Sequence, residues 1–198
     1  MRIIAGQHRG RTIKAPKGED TRPTTDRVRE SMMSVVASAR GGFSGAVVLD
    51  AFAGSGACGL EAMSRGADSV VFYETAPAAL SALTDNVRTL GLAAPQARIR
   101  RVDVLAAPPT GARPPFDLVF LDPPYAFDPK EVLGMVAALS RGGALEADVI
   151  VMYEHAVESD AAICEAAAAC GLALARRKKY GDTSLDTLRL VGRGDDQA

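Results

Sequence analysis

The stretch Asp50-Ala51-Phe52-Ala53-Gly54-Ser55-Gly56-Ala57-Cys58-Gly59 decides the fold. The apolar run Val47-Val48-Leu49 leads into it and a helix-forming segment leads away from Ala57, so its glycines occupy a strand-loop-helix turn. Further strands are predicted at residues 70–73, 98–102, 116–121 and 149–153. Apolar runs this continuous belong to a sheet covered on both faces, the usual arrangement of parallel strands joined through helices. One such helix follows Glu74: Leu80, Leu83, Val87 and Leu90 share a face at spacings of three, four and three, with Thr75 expected to cap its start and Gly91 to end it. The alanine-rich residues 161–175 read as a close-packed helix, and residues 172–180 and 184–191 as two strands joined by the tight turn Gly181-Asp182-Thr183. The expected architecture is α/β, a seven-stranded and mostly parallel sheet whose last strand runs antiparallel.

Upstream, residues 2–5 and 11–15 are extended candidates around Gly6-Gln7-His8-Arg9-Gly10, which predicts a basic N-terminal β-hairpin. A helix starting near Thr24 is predicted from Val28, Met32, Val35 and Ala39, and Gly41-Gly42 stops it. Residues 1–20 are thus expected to form an arm of one domain whose body is residues 21–198. Residues 1–45 hold nine Lys or Arg against four Asp or Glu, and the remainder fourteen against twenty. A basic front on an acidic body suits an anionic partner met by the arm, and it equally suits a solvated strand pair.

Several classes fall away on composition. The start has no apolar run long enough for a secretory signal and no later segment approaches a membrane span, so a cytoplasmic protein with no membrane partner is expected. The three cysteines form no CxxC pair, which argues against a disulfide framework or structural zinc, and Cys164 and Cys170 are expected to be small buried residues. His8 and His155 stand apart with no carboxylate or cysteine at ligand spacing, so no catalytic metal is expected, and His155 reads as a cap on a strand end.

Gly54-Ser55-Gly56-Ala57-Cys58-Gly59 spells GxGxxG, and Glu74 ends the second strand, a combination also found in dinucleotide-binding dehydrogenases. Two features oppose that reading. Ala51-Phe52-Ala53 separates the strand from the first glycine and widens the turn, and the carboxylate of Asp50 beside the loop would repel a pyrophosphate. A ligand carrying an ammonium and a sulfonium suits that carboxylate, which points to S-adenosylmethionine. Glu74 can accept both ribose hydroxyls, or it can cap the following helix. Asp103, after the third strand, is placed to flank the adenine, or serves as a turn former.

The fourth strand runs into Asp122-Pro123-Pro124-Tyr125. An exocyclic base amine is a weak nucleophile because its lone pair is delocalised into the ring. Asp122 and a proline carbonyl can hold its hydrogens, Pro123 and Pro124 preset the acceptor geometry, and Tyr125 offers a face for the base. Alone, D-P-P is a proline turn; after a glycine loop it reads as a catalytic motif.

This tetrad resembles the motif of amino-methyltransferases that act on DNA adenine, RNA guanine or, as N-P-P-Y, protein glutamine; Asp122 disfavours the last. Residues 1–6, 9–11, 21–24, 26–30, 50–56, 59–62, 64–67, 122–125 and 180–183, taken in order, resemble the RsmD family of bacterial 16S ribosomal-RNA guanine-N2 methyltransferases. Met32-Met33-Ser34 and Cys58 depart from its usual residues. The resemblance implies a Rossmann-like class I fold, a monomer, and ribosomal RNA or the small subunit as partner. The expected cofactor site is Asp50, Phe52, Gly54, Ser55, Gly56, Glu74, Asp103 and Thr24, and the expected substrate contacts are Arg9, Arg11 and Lys14 of the basic arm, to phosphates, with Arg22 and Arg27; the resemblance implies that Thr21 to Thr24 and Arg27 lie near the methionine end of the cofactor and the entering base. A DNA adenine-N6 methyltransferase is the alternative, although reading a DNA sequence usually takes an added recognition domain for which the residues after Tyr125 leave little room.

Overall fold

A computed structural model describes residues 1–16 and 26–192. Its strands are β1 (Val47–Asp50), β2 (Ser69–Tyr73), β3 (Ala97–Arg100), β4 (Phe116–Leu121), β5 (Leu145–Ala156), β6 (Leu172–Tyr180) and β7 (Thr183–Leu190), in the sheet order β3-β2-β1-β4-β5-β7-β6. The predicted α/β architecture is therefore present. Among the described residues no helix is long and apolar enough to cross a membrane. The chain divides into two compact units, residues 1–104 and 105–198.

In the first unit β1 pairs with β2 and β2 with β3, all parallel. The predicted third strand at 98–102 is instead Ala97–Arg100, and it buries only Ala97, because its arginines place charge on what would have been a core face. The helices are α1 (Asp26–Arg40), α2 (Ala57–Ser64) and α3 (Pro77–Thr89). On α1 the buried face runs through Val28, Arg29, Met32, Met33, Val35 and Val36, and Ala39 is exposed; the predicted stripe was carried one turn past the core. Arg29 is fully buried and donates to the Arg2 carbonyl and to Asp26, both at 2.8 Å. Thr75 does not cap α3. Ala76 stands at that position with Pro77 behind it, and the Glu74 carboxylate accepts the Thr75 and Ala76 N–H groups instead. Gly91, at φ +70°, ends the helix as predicted.

The N-terminal hairpin packs as part of this unit. Ile3 and Ile13 are 1% exposed, and Ile3 exchanges bonds with Arg11 and Gly10 at 2.9 Å, although only the Arg2–Thr12 bridge counts as strand pairing. Gly6 (φ +83°) lies so close to α2 that a Cβ there would stand 1.8 Å from the Ser64 carbonyl oxygen. The Ile4 and Ala5 N–H groups reach the buried Glu61 carboxylate at 2.8 and 3.0 Å, and Arg65 joins it at 2.8 Å.

In the second unit β4 and β5 are parallel, β7 is antiparallel to β5, and β6 is antiparallel to β7. One reversed strand was predicted, and it is the last in sequence; it inserts between β5 and β6, so β6 forms the edge. The helices are α4 (Pro129–Arg141), capped by the Asp128 side chain on the Lys130 N–H, and α5 (Asp160–Ala169). The alanine-rich helix stops at Ala169, short of the predicted 175, because Gly171 (φ +71°) turns the chain into β6. Cys164 is exposed and Cys170 partly so, against expectation, since the buried face of α5 is Ile163, Ala166 and Ala167.

His155 is not a strand-end cap either. It is buried inside a charged cluster, with Nε2 3.0 Å from Asp186 and Nδ1 2.9 Å from the Ala156 carbonyl oxygen. Arg177 donates twice to Asp186, at 2.6 and 2.7 Å, and Asp160 takes Ser184 and Lys179. Burial works to raise the Asp186 carboxyl, but the Arg177 and His155 hydrogen bonds hold it below the usual carboxylate range.

Candidate active site

The first unit supplies a ligand loop. β1 delivers Asp50, and its Oδ2 accepts the Gly59 N–H at 2.9 Å in the first turn of α2, where the helix dipole favours a carboxylate. Gly59 is obligatory there: a Cβ would meet Phe72 Cε1 at 2.4 Å and Asp50 Oδ2 at 3.0 Å. Gly54 (φ +54°) and Gly56 (φ +83°) take left-handed backbone, and a Cβ on Gly56 would strike Leu83 at 2.4 Å. Beside Gly54 nothing lies within 4 Å of the Cβ position, so the loop has open space there for a ligand to approach the backbone.

Of the two tasks considered for Glu74, the structure shows the one at the start of the following helix. Oε2 accepts the Gly54 N–H at 2.8 Å, and Oε1 accepts the Thr75 and Ala76 N–H groups at 2.7 Å each. It therefore ties the glycine loop to the start of α3. A carboxylate has about four acceptor positions, and three N–H groups leave room for a hydroxyl. Ser55 is 5% exposed, Phe52 is half-buried, and Asp103 is exposed just past β3. Arg22 and Thr24 lie outside the described residues.

Sequence reasoning missed Asn86. It is 1% exposed on α3; its Nδ2 donates to the Ser55 and Lys14 carbonyls at 2.9 Å each, and its Oδ1 accepts the Lys14 N–H at 2.7 Å. One amide thus holds the glycine loop and the hairpin arm to the same helix. The available signal was an asparagine between Leu83 and Leu90 on an otherwise apolar face.

The arm's cations divide by partner. Lys14 pairs with Asp85 at 2.6 Å, and that hydrogen bond and charge hold Asp85 below its ordinary range. Arg11 donates to the Thr89 carbonyl at 3.0 Å. Arg9 is exposed, with no side-chain partner among the described residues, and Arg27 is exposed on α1. Burial, and then the Arg11 charge, lower the His8 imidazole, so at neutral pH it adds no charge to the arm.

The second unit supplies the Asp122–Tyr125 loop at the end of β4. Asp122 is half-buried, Pro123 buried, and Tyr125 is 49% exposed, with its hydroxyl 3.3 Å from that of Thr183. The Pro124 carbonyl accepts the Phe127 N–H at 3.0 Å. That closes the loop into a turn.

A sheet in this strand order, with a glycine loop after its first strand and D-P-P-Y after its fourth, defines a methyltransferase of the Rossmann-like class. The family model described as Conserved hypothetical protein 95 matches residues 1–189. YlbH of Bacillus subtilis (strain 168) is 33% identical over 187 residues, 93% of this chain and 96% of that protein. Ribosomal RNA small subunit methyltransferase D of Escherichia coli (strain K12) is 37% identical over 162 residues, 80% of this chain and 76% of that protein. The solved structure of yhhF from Escherichia coli matches with TM-score 0.75 at 30% identity, covering 97% of this chain and 99% of that one. The chain belongs to this family, the RsmD family.

Proposed function

We propose that the protein transfers a methyl group from S-adenosylmethionine to the exocyclic N2 amine of a guanine in 16S ribosomal RNA, as a cytoplasmic monomer. The observation that carries this reading is the Asp122–Tyr125 loop, with an acceptor pair set by two prolines beside a solvent-facing aromatic ring. The likeness to ribosomal RNA small subunit methyltransferase D supports RNA as the substrate class.

The cofactor fits the residues present. Gly54 and Gly56 open the loop backbone, Glu74 keeps acceptor capacity for one ribose hydroxyl, and the buried Asp50 places negative charge beside a cationic ligand. When bound, S-adenosylmethionine supplies an electrophilic methyl group on a sulfonium. The chain's own task is the nucleophile: Asp122 and the Pro123 carbonyl hold the amine hydrogens, which redirects the nitrogen lone pair out of the ring plane. Tyr125 stacks the base, and Asp122 stabilises the positive charge that grows on nitrogen.

Labelled methyl transfer to total cell RNA and DNA, followed by nucleoside analysis, tests the reading. N2-methylguanine in 16S ribosomal RNA is expected; N6-methyladenine in DNA, or no transfer, overturns it.

Two results are expected at the binding surfaces. Glu74→Ala should weaken S-adenosylmethionine binding about tenfold or more in calorimetry, since a charge-assisted hydrogen bond is lost and the Gly54 N–H is released from its acceptor. Unchanged affinity would remove Glu74 from the ribose. On the arm, Arg9→Ala should lower the log-log salt slope of RNA binding by about 0.7 to 0.9, and Lys14→Ala by less, because Asp85 already neutralises that ammonium. Should Arg9→Ala leave the slope unaltered, the arm is structural.

A further inference from the structure

The described residues expose five large apolar side chains: Val102, Tyr125, Phe127, Leu174 and Val191. The two aromatic ones stand two residues apart on one loop, Tyr125 at 49% and Phe127 at 37% exposure. The chain has only ten Phe and Tyr residues, of which six are buried, so placing two rings toward solvent together calls for a ligand with a flat face. Phe127 is also fixed in place. Its N–H is held by the Pro124 carbonyl, and the next residue, Asp128, is the cap of α4.

Both rings border a shallow, open cleft within the second unit, whose floor has a volume of about 10 Å³, roughly that of one water. Pro124, Pro129 and the buried Tyr153 form its apolar part, and Glu154 and Ser159 its polar part. His155 also lines it, and Asp186 and the Ala156 carbonyl engage both of its ring nitrogens.

We propose that the exposed ring of Phe127, at the rim of this cleft, is a second base site, which stacks an unpaired nucleobase adjacent in the RNA to the guanine that Tyr125 takes. The proposal rests on the RNA-methylating reading above. Its physical reason is the cost of unstacking. Turning the target base out of its stack also strips one face of its neighbour, and an aromatic ring beside the target position restores that lost stack. Stacking of this kind tolerates any base, so the site strengthens binding to single-stranded RNA without reading sequence.

Phe127 also stands just before the α4 cap and five residues ahead of the buried Val132, the two positions from which apolar side chains staple a helix entry. Phe127→Leu separates the two roles, because leucine keeps an apolar staple and loses the flat face. Single-turnover methyl transfer, measured against concentration of 16S ribosomal RNA and of small ribosomal subunits, provides the readout. Phe127→Leu should raise the half-saturating RNA concentration about tenfold, with the defect falling on half-saturation more than on the limiting rate, and Phe127→Trp should restore it. Half-saturation of Phe127→Leu at the wild-type concentration overturns the second base site and leaves the proposed function standing. A wild-type protein that transfers no methyl group to either RNA overturns the proposed function, and the base site with it.

Discussion

Asp122→Ala is expected to slow single-turnover methyl transfer by about 100- to 1,000-fold while S-adenosylmethionine binds with nearly its wild-type affinity. The size follows from where the contact acts. In the ground state the amine is a neutral donor that water could satisfy equally well. As the nitrogen attacks it gains positive charge, and a fixed carboxylate then stabilises it far more than it stabilises the resting base. Asp122 leads directly out of β4 and is followed by two prolines, so little reorganisation is needed at the moment of reaction. Tyr125→Ala should be milder, because a stacked base is worth roughly 1 to 3 kcal/mol. Tyr125→Phe should keep most activity, since the hydroxyl makes only a 3.3 Å contact with Thr183 and the ring face carries the stacking. An Asp122→Ala protein with the wild-type single-turnover rate would overturn the mechanism.

The second large effect concerns stability. Glu61→Ala should destabilise the protein by about 3 to 5 kcal/mol in urea unfolding. The Glu61 side chain is fully buried and accepts from the Ile4 and Ala5 N–H groups and from Arg65 Nε. Alanine would leave a largely buried guanidinium and two backbone donors unsatisfied together, and would release the hairpin arm from α2. Glu61→Gln keeps an acceptor oxygen and should cost clearly less. Equal stability of Glu61→Ala and wild type would show that the arm does not depend on this carboxylate.

Much of the architecture was legible because it is local. The apolar run of residues 116–121 predicted β4 to the residue, since a strand buried along its length needs no partner to be recognised. The glycine loop was legible through residues that demand special backbone: Gly54 and Gly56 have positive φ, and Gly59 leaves no space for a side chain. Boundaries were less legible. The alanine-rich segment was read as helix to residue 175, overlapping the strand read from 172; Gly171 ends the helix and β6 begins at Leu172, where helix propensity in alanine gives way to pairing with β7.

By itself, the sequence determined the elements with a clear period, the strand-loop-helix turn after Asp50, and the proline-stiffened Asp122–Tyr125 loop after β4. Each of these depends on neighbours a few residues away, through backbone sterics and side-chain periodicity. Only the tertiary structure decided what the buried polar groups do. Asn86 joins Ser55 to Lys14, Glu61 joins the arm to α2, Arg29 is buried against the Arg2 carbonyl, and His155 meets Asp186 across β5 and β7. The physical reason is that a buried polar atom must find a partner wherever the fold brings one, and most of these partners lie tens of residues away in the chain.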